Sequence, residues 1–458
     1  MLLRRSLLAT VAIMPITGRV LAQTLDDVLA PHVRRATVIA WGDRVEADSP
    51  AFTPESLTPD ATATQFGWDA LVVGVMPVAQ GEDGVARAIL VVAHPAPIQR
   101  MLPARIAPGA VAGMQGVSVL NLEQHDGSWL ISDGGFQTRR LTGETLCRVS
   151  GPGLANMSDA TRGIINPSCG GLAPWGRALV GEMPMLASSG FVVELDPTDP
   201  EAIPIKRTAL GRMPRAGLLA TVTRDGRPVV FMSEAGAPGR LYRFTAAAPI
   251  AADNPDALDQ GVLEVGVVQN DMLHFIKSSE EASASSLGAP AGMALQADGT
   301  ILLACRGAVG PVEATDALGG GNPAGRILLL RPQGGAADAA SFSLELALLG
   351  GDTGAGAALV RRPSCLAIGK AGQVWIGADG SGVALAEANF TQVTQLYHQP
   401  VGAVIGGLAF TPDRALCMAA VRHPGMTPEA SWANPATRWP TLRRDMPPQS
   451  VVVGLSLG

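Results

Sequence analysis

Lysine is scarce in this chain: Lys206, Lys277 and Lys370 are its lysines, and arginine carries the remaining cationic charge. Alanine and glycine are abundant beside it, the composition of a GC-rich coding sequence. Aromatic residues make up 4% and charged residues 16%, against 47% hydrophobic residues. That balance excludes a disordered chain and supplies a sizeable core. With 54 glycines and 35 prolines, many short strands and tight turns fit better than long helices. The 458 residues suffice for one large β domain or for two to three ordinary ones.

Other absences exclude function classes. No run reaches the ~18 apolar residues that a membrane-spanning helix needs. The net charge is −6, which argues against nucleic acid as a partner. The five cysteines, Cys147, Cys169, Cys305, Cys365 and Cys417, are odd in number and widely spaced, so no Cys-x-x-Cys metal or redox motif exists. Cys305, Cys365 and Cys417 sit in apolar strand-like runs and read as small buried hydrophobes. No Gly-x-Ser-x-Gly lies at a plausible nucleophile elbow. His32, His125, His274 and His398 have no metal-ligand spacing. The glycine-rich Gly319–Gly325 lacks the Gly-Lys-Ser/Thr of a phosphate loop and reads as a plain loop.

Residues 1–22 read as an export leader. Arg4-Arg5 precedes an apolar run to about Ile16, and Val20-Leu21-Ala22 offers a cleavage site before Gln23. The paired arginines and Arg19 favour the twin-arginine route over an ordinary secretory signal and place the mature protein in the periplasm or outside the cell. Removing Arg4, Arg5 and Arg19, with no acid in the leader, would take the net charge from −6 to −9.

Three segments repeat one pattern of small residue, apolar pair, turn and apolar strand: Ala291–Cys305, Ser364–Gly377 and Gly406–Met418. A weaker copy spans Gly217–Met232. Each reads as a hairpin. Leu366 and Leu408 are 42 residues apart, a propeller-blade period, and Met293 and Leu366 are 73 apart, one blade with a long insertion. The expected fold class is therefore all-β, a β-propeller with loop and short helical insertions, with a sandwich as the alternative. Residues 23–458 form a single domain in this reading. Insertions fall at about 253–287, with a helix-like stretch around Asp271–Ser285, and at about 306–325. The tail from Pro428 to Pro448 wraps the surface.

Cys169-Gly-Gly-Leu-Ala-Pro-Trp-Gly176 resembles the Cys-x-Gly-Gly-x-Thr-Pro-Trp-Gly signature of the PhoX-type alkaline phosphatases, secreted calcium- and iron-dependent phosphoesterases. Arg139-Arg140-Leu-Thr, Gly190-Phe191 through Pro197, Leu241-Tyr242-Arg243-Phe244, Val374-Trp375-Ile376 and His423-Pro-Gly425 are similar to further family strands, in order along the chain. The resemblance implies six blades. It also implies acids where this chain keeps few. The family's Thr-Cys-Glu-Glu falls on Val180-Gly181-Glu182-Met183, its Asn-His-Glu on Ala93-His94-Pro95 and its His-Glu on Arg215-Ala216. Its Glu-Asp-Arg falls on Glu234-Ala235-Gly236, its Arg-Pro-Glu on Ala289-Pro290-Ala291, and its Pro-Asp-Asn on Pro363-Ser364-Cys365.

Calcium takes six to eight oxygen ligands, and clustered cations need matching anionic charge. Glu182, Glu234 and Asp379 are the candidate ligands of a reduced metal site, with calcium the cation and iron doubtful. Arg215, His94 and His423 are candidate ligand-binding residues, and Arg177 is a further cation near the expected site. The first expectation is a non-catalytic or substrate-shifted binding protein for a small anionic or phosphorylated ligand. The second is an active phosphoester hydrolase on the reduced metal set. The third is an interaction propeller using Asp253–Leu287.

Overall fold

The four hairpin repeats read from the sequence are the inner strand pairs of four blades in the computed structural model. It describes residues 24–132, 135–279, 285–307, 318, 321–351 and 360–458. Each blade is an antiparallel meander whose first strand faces the centre. The six first strands are Leu71–Val78, Pro167–Ala173, Arg215–Val222, Pro290–Leu295, Pro363–Ile368 and Val404–Phe410. Each touches the next, and the last touches the first, so the described residues close a ring of six blades. The expected six-bladed propeller is the observed fold. The segment read as an export leader, most of the stretch 306–325 and most of Gly350–Gly356 lie outside the described residues.

The ring closes by mixing chain ends. Val33–Ala40 pairs antiparallel with Val451–Leu457 and forms the outer edge of the sixth blade. Val28–Leu29 adds to the outer strand of the fifth blade through Val28 opposite His398. This shared blade holds the ring shut and leaves fewer unpaired strand edges.

The helix-like reading of Asp271–Ser285 is corrected: Met272–Lys277 is a strand. Asn270 and Asp271 adopt φ of 50° and 57°, the conformation a two-residue hairpin turn demands, so the chain doubles back on Gly261–Gln269. The returning strand then pairs with Ser341–Leu349 and joins the third and fourth blades into one nine-stranded sheet.

Apolar side chains fill the gaps between blades, and two glycines let the inner strands meet backbone to backbone. A Cβ on Gly217 would overlap the carbonyl oxygen of Ala291 in the fourth blade. A Cβ on Gly407, at φ of 112°, would overlap that of Val72 in the first. The high glycine content read from the sequence thus narrows the central channel.

Candidate functional site

All six inner strands carry a bulge against their second strand at the same level: Val72/Gly74, Pro167/Cys169, Arg215/Gly217, Pro290/Met293, Pro363/Cys365 and Ile405/Leu408. Bulges bend a strand and re-aim side chains, and they gather at barrel rims beside active sites. The second strands end at this same mouth of the channel. Their last residues are His94, Glu182, Glu234, Cys305, Ala378 and Arg422, with Arg306, Asp379 and His423 one residue further on. The candidate residues His94, Glu182, Glu234, Asp379 and His423 therefore lie at the same end of the second strand in five blades, three as its last residue and two just after it, and Arg215 opens the inner strand of the third. Arg177 does not join them. It starts its strand at the opposite end, opposite Ala173, and pairs with Asp196.

Sharing a mouth does not make the six equivalent in chemistry. In the first two blades, and at Arg215 in the third, the side chains are consumed internally. His94 is fully buried; its Nδ1 meets the carbonyl of Asp69, which can only accept, so that nitrogen carries the proton. Its Nε2 then accepts from Ser118 Oγ at 2.7 Å. Burial, helped by Arg140, pulls the His94 pKa well below the ordinary value, so the ring is neutral. Glu182 is buried within its blade: Oε1 takes Lys206 Nζ at 2.7 Å and the amide of Ile165, and Oε2 takes the amides of Gly190 and Phe191. Burial raises its pKa against the opposing pull of Lys206. Arg215 donates to four carbonyls, those of Gly190, Met213, Leu210 and Gly211, at 2.6–3.1 Å. Its guanidinium is fully buried, and burial lowers its pKa to about 10.

The remaining blades present a different surface. Arg306 Nε lies 2.9 Å from Asp379 Oδ2 across the fourth and fifth blades. Arg422 donates through Nε and Nη2 to Asp69 Oδ2, at 3.0 and 2.6 Å. His423 Nδ1 stands 3.4 Å from the same oxygen, and its ring lies 5.7 Å from that of Trp68. Burial opposes ionisation of Asp69, but Arg422 and His423 outweigh it and hold the carboxyl below its ordinary value. Burial brings His423 down to about 4, although Asp69 opposes this. The backbone at His423 has φ of 49°, the kind of local strain that collects at functional sites. Glu234 Oε2 is 3.8 Å from Arg240 Nη1.

Arg306 and Arg422 line one cavity of about 170 Å³ at the channel axis. Its walls come from the inner strands of all six blades, mostly backbone and apolar side chains such as Leu71, Leu172, Leu218 and Leu408. Ser168 and Ser364 also line it, but their hydroxyls are spent on carbonyls of the neighbouring blade, Arg215 and Ile405. Cys169, in the signature segment, turns its sulfur toward Gly181 and Arg215, and burial pushes the thiol up to about 12. All five cysteines are free thiols.

The sequence reading did not single out Arg306, Asp69 or Arg422. The repeat itself held the signal for Arg306, which stands 13 residues after Met293 just as Asp379 stands 13 after Leu366. Nothing in the sequence pairs Asp69 with Arg422.

A metal needs converging donors, and the three candidate carboxylates sit on separate blades, each beside its own cation. Among the described residues no group of three or more His, Cys, Asp and Glu side chains comes together to hold a metal ion. The residues present do not fit a multi-cation cluster. Among the described residues, no helix is long and apolar enough to cross a membrane.

A family model described as Alkaline phosphatase PhoX matches residues 19–309. Among solved structures, the chain is similar to Pseudomonas fluorescens PhoX in complex with vanadate, a transition state analogue. The TM-score is 0.83 and the identity 21%, over 95% of this chain and 97% of that one, a likeness of fold. A gluconolactonase from Xanthomonas campestris matches with a TM-score of 0.37 and 14% identity, over 92% of this chain and all of that one. No curated protein matches the sequence.

Proposed function

This chain belongs to the alkaline phosphatase PhoX family, and from that premise we propose that it is an exported member that binds a small anionic ligand without hydrolysing it. One observation carries the reading. Arg306 and Arg422 open onto a single cavity with N–H groups that no described residue accepts, while the acids around them already hold cations. A guanidinium offers planar paired donors suited to an oxyanion, and it does so without a metal.

The chemistry of the donor set supports the non-catalytic half. Phosphoryl transfer relies on positioning and charge neutralisation, supplied by metals and arginines together. Here Glu182 is bound to Lys206, and Asp379 to Arg306, so the carboxylates that would gather cations are engaged. The leader with Arg4-Arg5 supports export by the twin-arginine route to the periplasm or beyond. A second reading, a hydrolase working on a reduced cation set, draws on Asp379, whose Oδ1 is buried and accepts no hydrogen bond.

The test is metal content and turnover on one preparation. The exported protein, dialysed against calcium and iron and then against metal-free buffer, is expected to retain neither in stoichiometric amount. It is also expected to release no phosphate from aryl phosphates. Stoichiometric calcium or iron with turnover abolished by chelator would overturn the binding reading in favour of the hydrolase.

A further inference from the structure

The fifth blade carries a motif that the channel does not use. Glu387-Ala388-Asn389-Phe390-Thr391 holds an Asn-x-Thr acceptor with an acid two residues before the asparagine. We propose that Asn389 is a site of N-linked glycosylation, recognised on the folded protein by a bacterial oligosaccharyltransferase. This inference goes beyond the ligand reading and rests on its export half alone.

The motif forms the turn between Gly382–Ala386 and Val393–His398, the third and fourth strands of the blade. The amide of Phe390 donates to the carbonyl of Glu387 at 2.9 Å, and the amide of Glu387 to the carbonyl of Gln392 at 3.1 Å. Phe390, with φ of 58°, reverses the chain. Glu387, Ala388, Asn389 and Thr391 are all exposed. The twin-arginine route delivers folded proteins, so an acceptor has to stand on the surface of the finished fold.

The side chains present the reacting atom. Asn389 Oδ1 accepts from the amide and the hydroxyl of Thr391, at 3.1 and 2.8 Å, and its Nδ2 bonds to no described residue. Glu387 Oε2 lies 2.9 Å from the same hydroxyl, and among the described residues no cation pairs with it. That carboxylate is a charged handle for the transferase. In the transfer, Nδ2 attacks the anomeric carbon of a polyprenyl-diphosphate-linked oligosaccharide. A C–N bond forms, the C–O bond to the diphosphate breaks, the diphosphate leaves with the electron pair, and one amide proton is released.

The surroundings allow access. Val28–Leu29 covers only Tyr397 and His398 of the last strand, so the end beside the turn is an edge that can open locally without opening the ring. Gly382–Ala386 leads away from the mouth, because the strand before it ends there at Ala378. A glycan on Asn389 therefore stands on the opposite face. Two other asparagines lack a complete motif: Asn156-Met-Ser158 has Leu154 in the acid position, and Asn166 is followed by proline.

The experiment is tryptic mass spectrometry of the full mature protein recovered from the periplasm of its own cells. The peptide Ala371–Arg414 contains Asn389 as its one asparagine, and Val149–Arg162 contains Asn156. The first is expected to carry a glycan mass and the second none. Asn389→Gln, Glu387→Gln and Thr391→Val are expected to abolish that mass with the melting temperature unchanged, and Thr391→Ser to retain it. An unmodified Ala371–Arg414 from periplasmic protein would overturn the site and leave export standing. Sugar that persists in Asn389→Gln would overturn it too. Protein confined to the cytoplasm would overturn both the site and the export reading.

Discussion

Lys206 Nζ lies 2.7 Å from Glu182 Oε1, and neither side chain has any exposed surface. The pair is completed by the carbonyl of Ser188 and by three backbone amides on the carboxylate. Removing one partner of such a pair strands the other in the interior. Lys206→Met is therefore expected to destabilise the protein by roughly 3–5 kcal/mol. Lys206→Met with Glu182→Leu is expected to recover part of that loss. Thermal or urea unfolding of the single and double variants measures both.

The glycine contacts between inner strands make a second prediction. Gly217→Ala would push a methyl group into the carbonyl of Ala291, a backbone atom that cannot swing aside. A loss of roughly 1–3 kcal/mol is expected, as for other overpacked sites. A variant as stable as the parent in a urea melt would mean that adjacent blades can slide apart at no cost.

His423 sets an acid limit. Its folded pKa of about 4 lies below the ordinary 6.5 because burial disfavours the charged ring, with Arg422 adding to this and Asp69 and Asp379 opposing. The unfolded chain then binds the proton more readily, so stability falls as pH drops from about 6.5 to about 4 and levels off below. The full effect is roughly 3 kcal/mol at most. His423→Gln is expected to flatten the pH dependence of unfolding in that window, which melts at pH 7, 5.5 and 4 would show.

Calcium is expected to leave the melting temperature unchanged. A ligand that binds the native state alone raises stability with its concentration, by about 2.7 kcal/mol at a hundred times its Kd. Glu182, Glu234 and Asp379 lie beside Lys206, Arg240 and Arg306, so no such rise should appear between chelator and millimolar calcium. A concentration-dependent rise in a melting scan would reveal a cation site.

The hairpins were legible because their signals are local. Asp225-Gly226, Asp298-Gly299 and Pro412-Asp413 mark turns between apolar runs, and each is the turn of an inner hairpin. The turn at Asn270-Asp271 was equally local, yet its flanking residues Met272–Lys277 read as helical. Only pairing with Gly261–Gln269 and Ser341–Leu349 settles them as a strand, because strand formation depends on partners that a sequence window does not contain.

The site was legible in position and illegible in pairing. The resemblance to the family picked out His94, Glu182, Glu234, Asp379 and His423, and the fold gathers all five at one mouth because each ends the same stretch of a blade or directly follows it. It could not say that Arg215 would spend its donors on four carbonyls, or that Arg306 and Arg422 would be the arginines facing the channel.

The sequence by itself determined the all-β class, the blade hairpins, the family and the level of the ring at which its unusual residues lie. Those properties follow from periodicity, turn chemistry and short motifs, all carried by residues near one another in the chain. Tertiary structure decided which of those residues are spent on one another and which face the cavity. Asp69 and Arg422 meet across 353 positions of sequence, and Arg306 reaches Asp379 only because neighbouring blades bring their strand ends together. A charge's partner is set by distance in space, through burial and Coulomb attraction, and the closure of the ring is what fixes those distances.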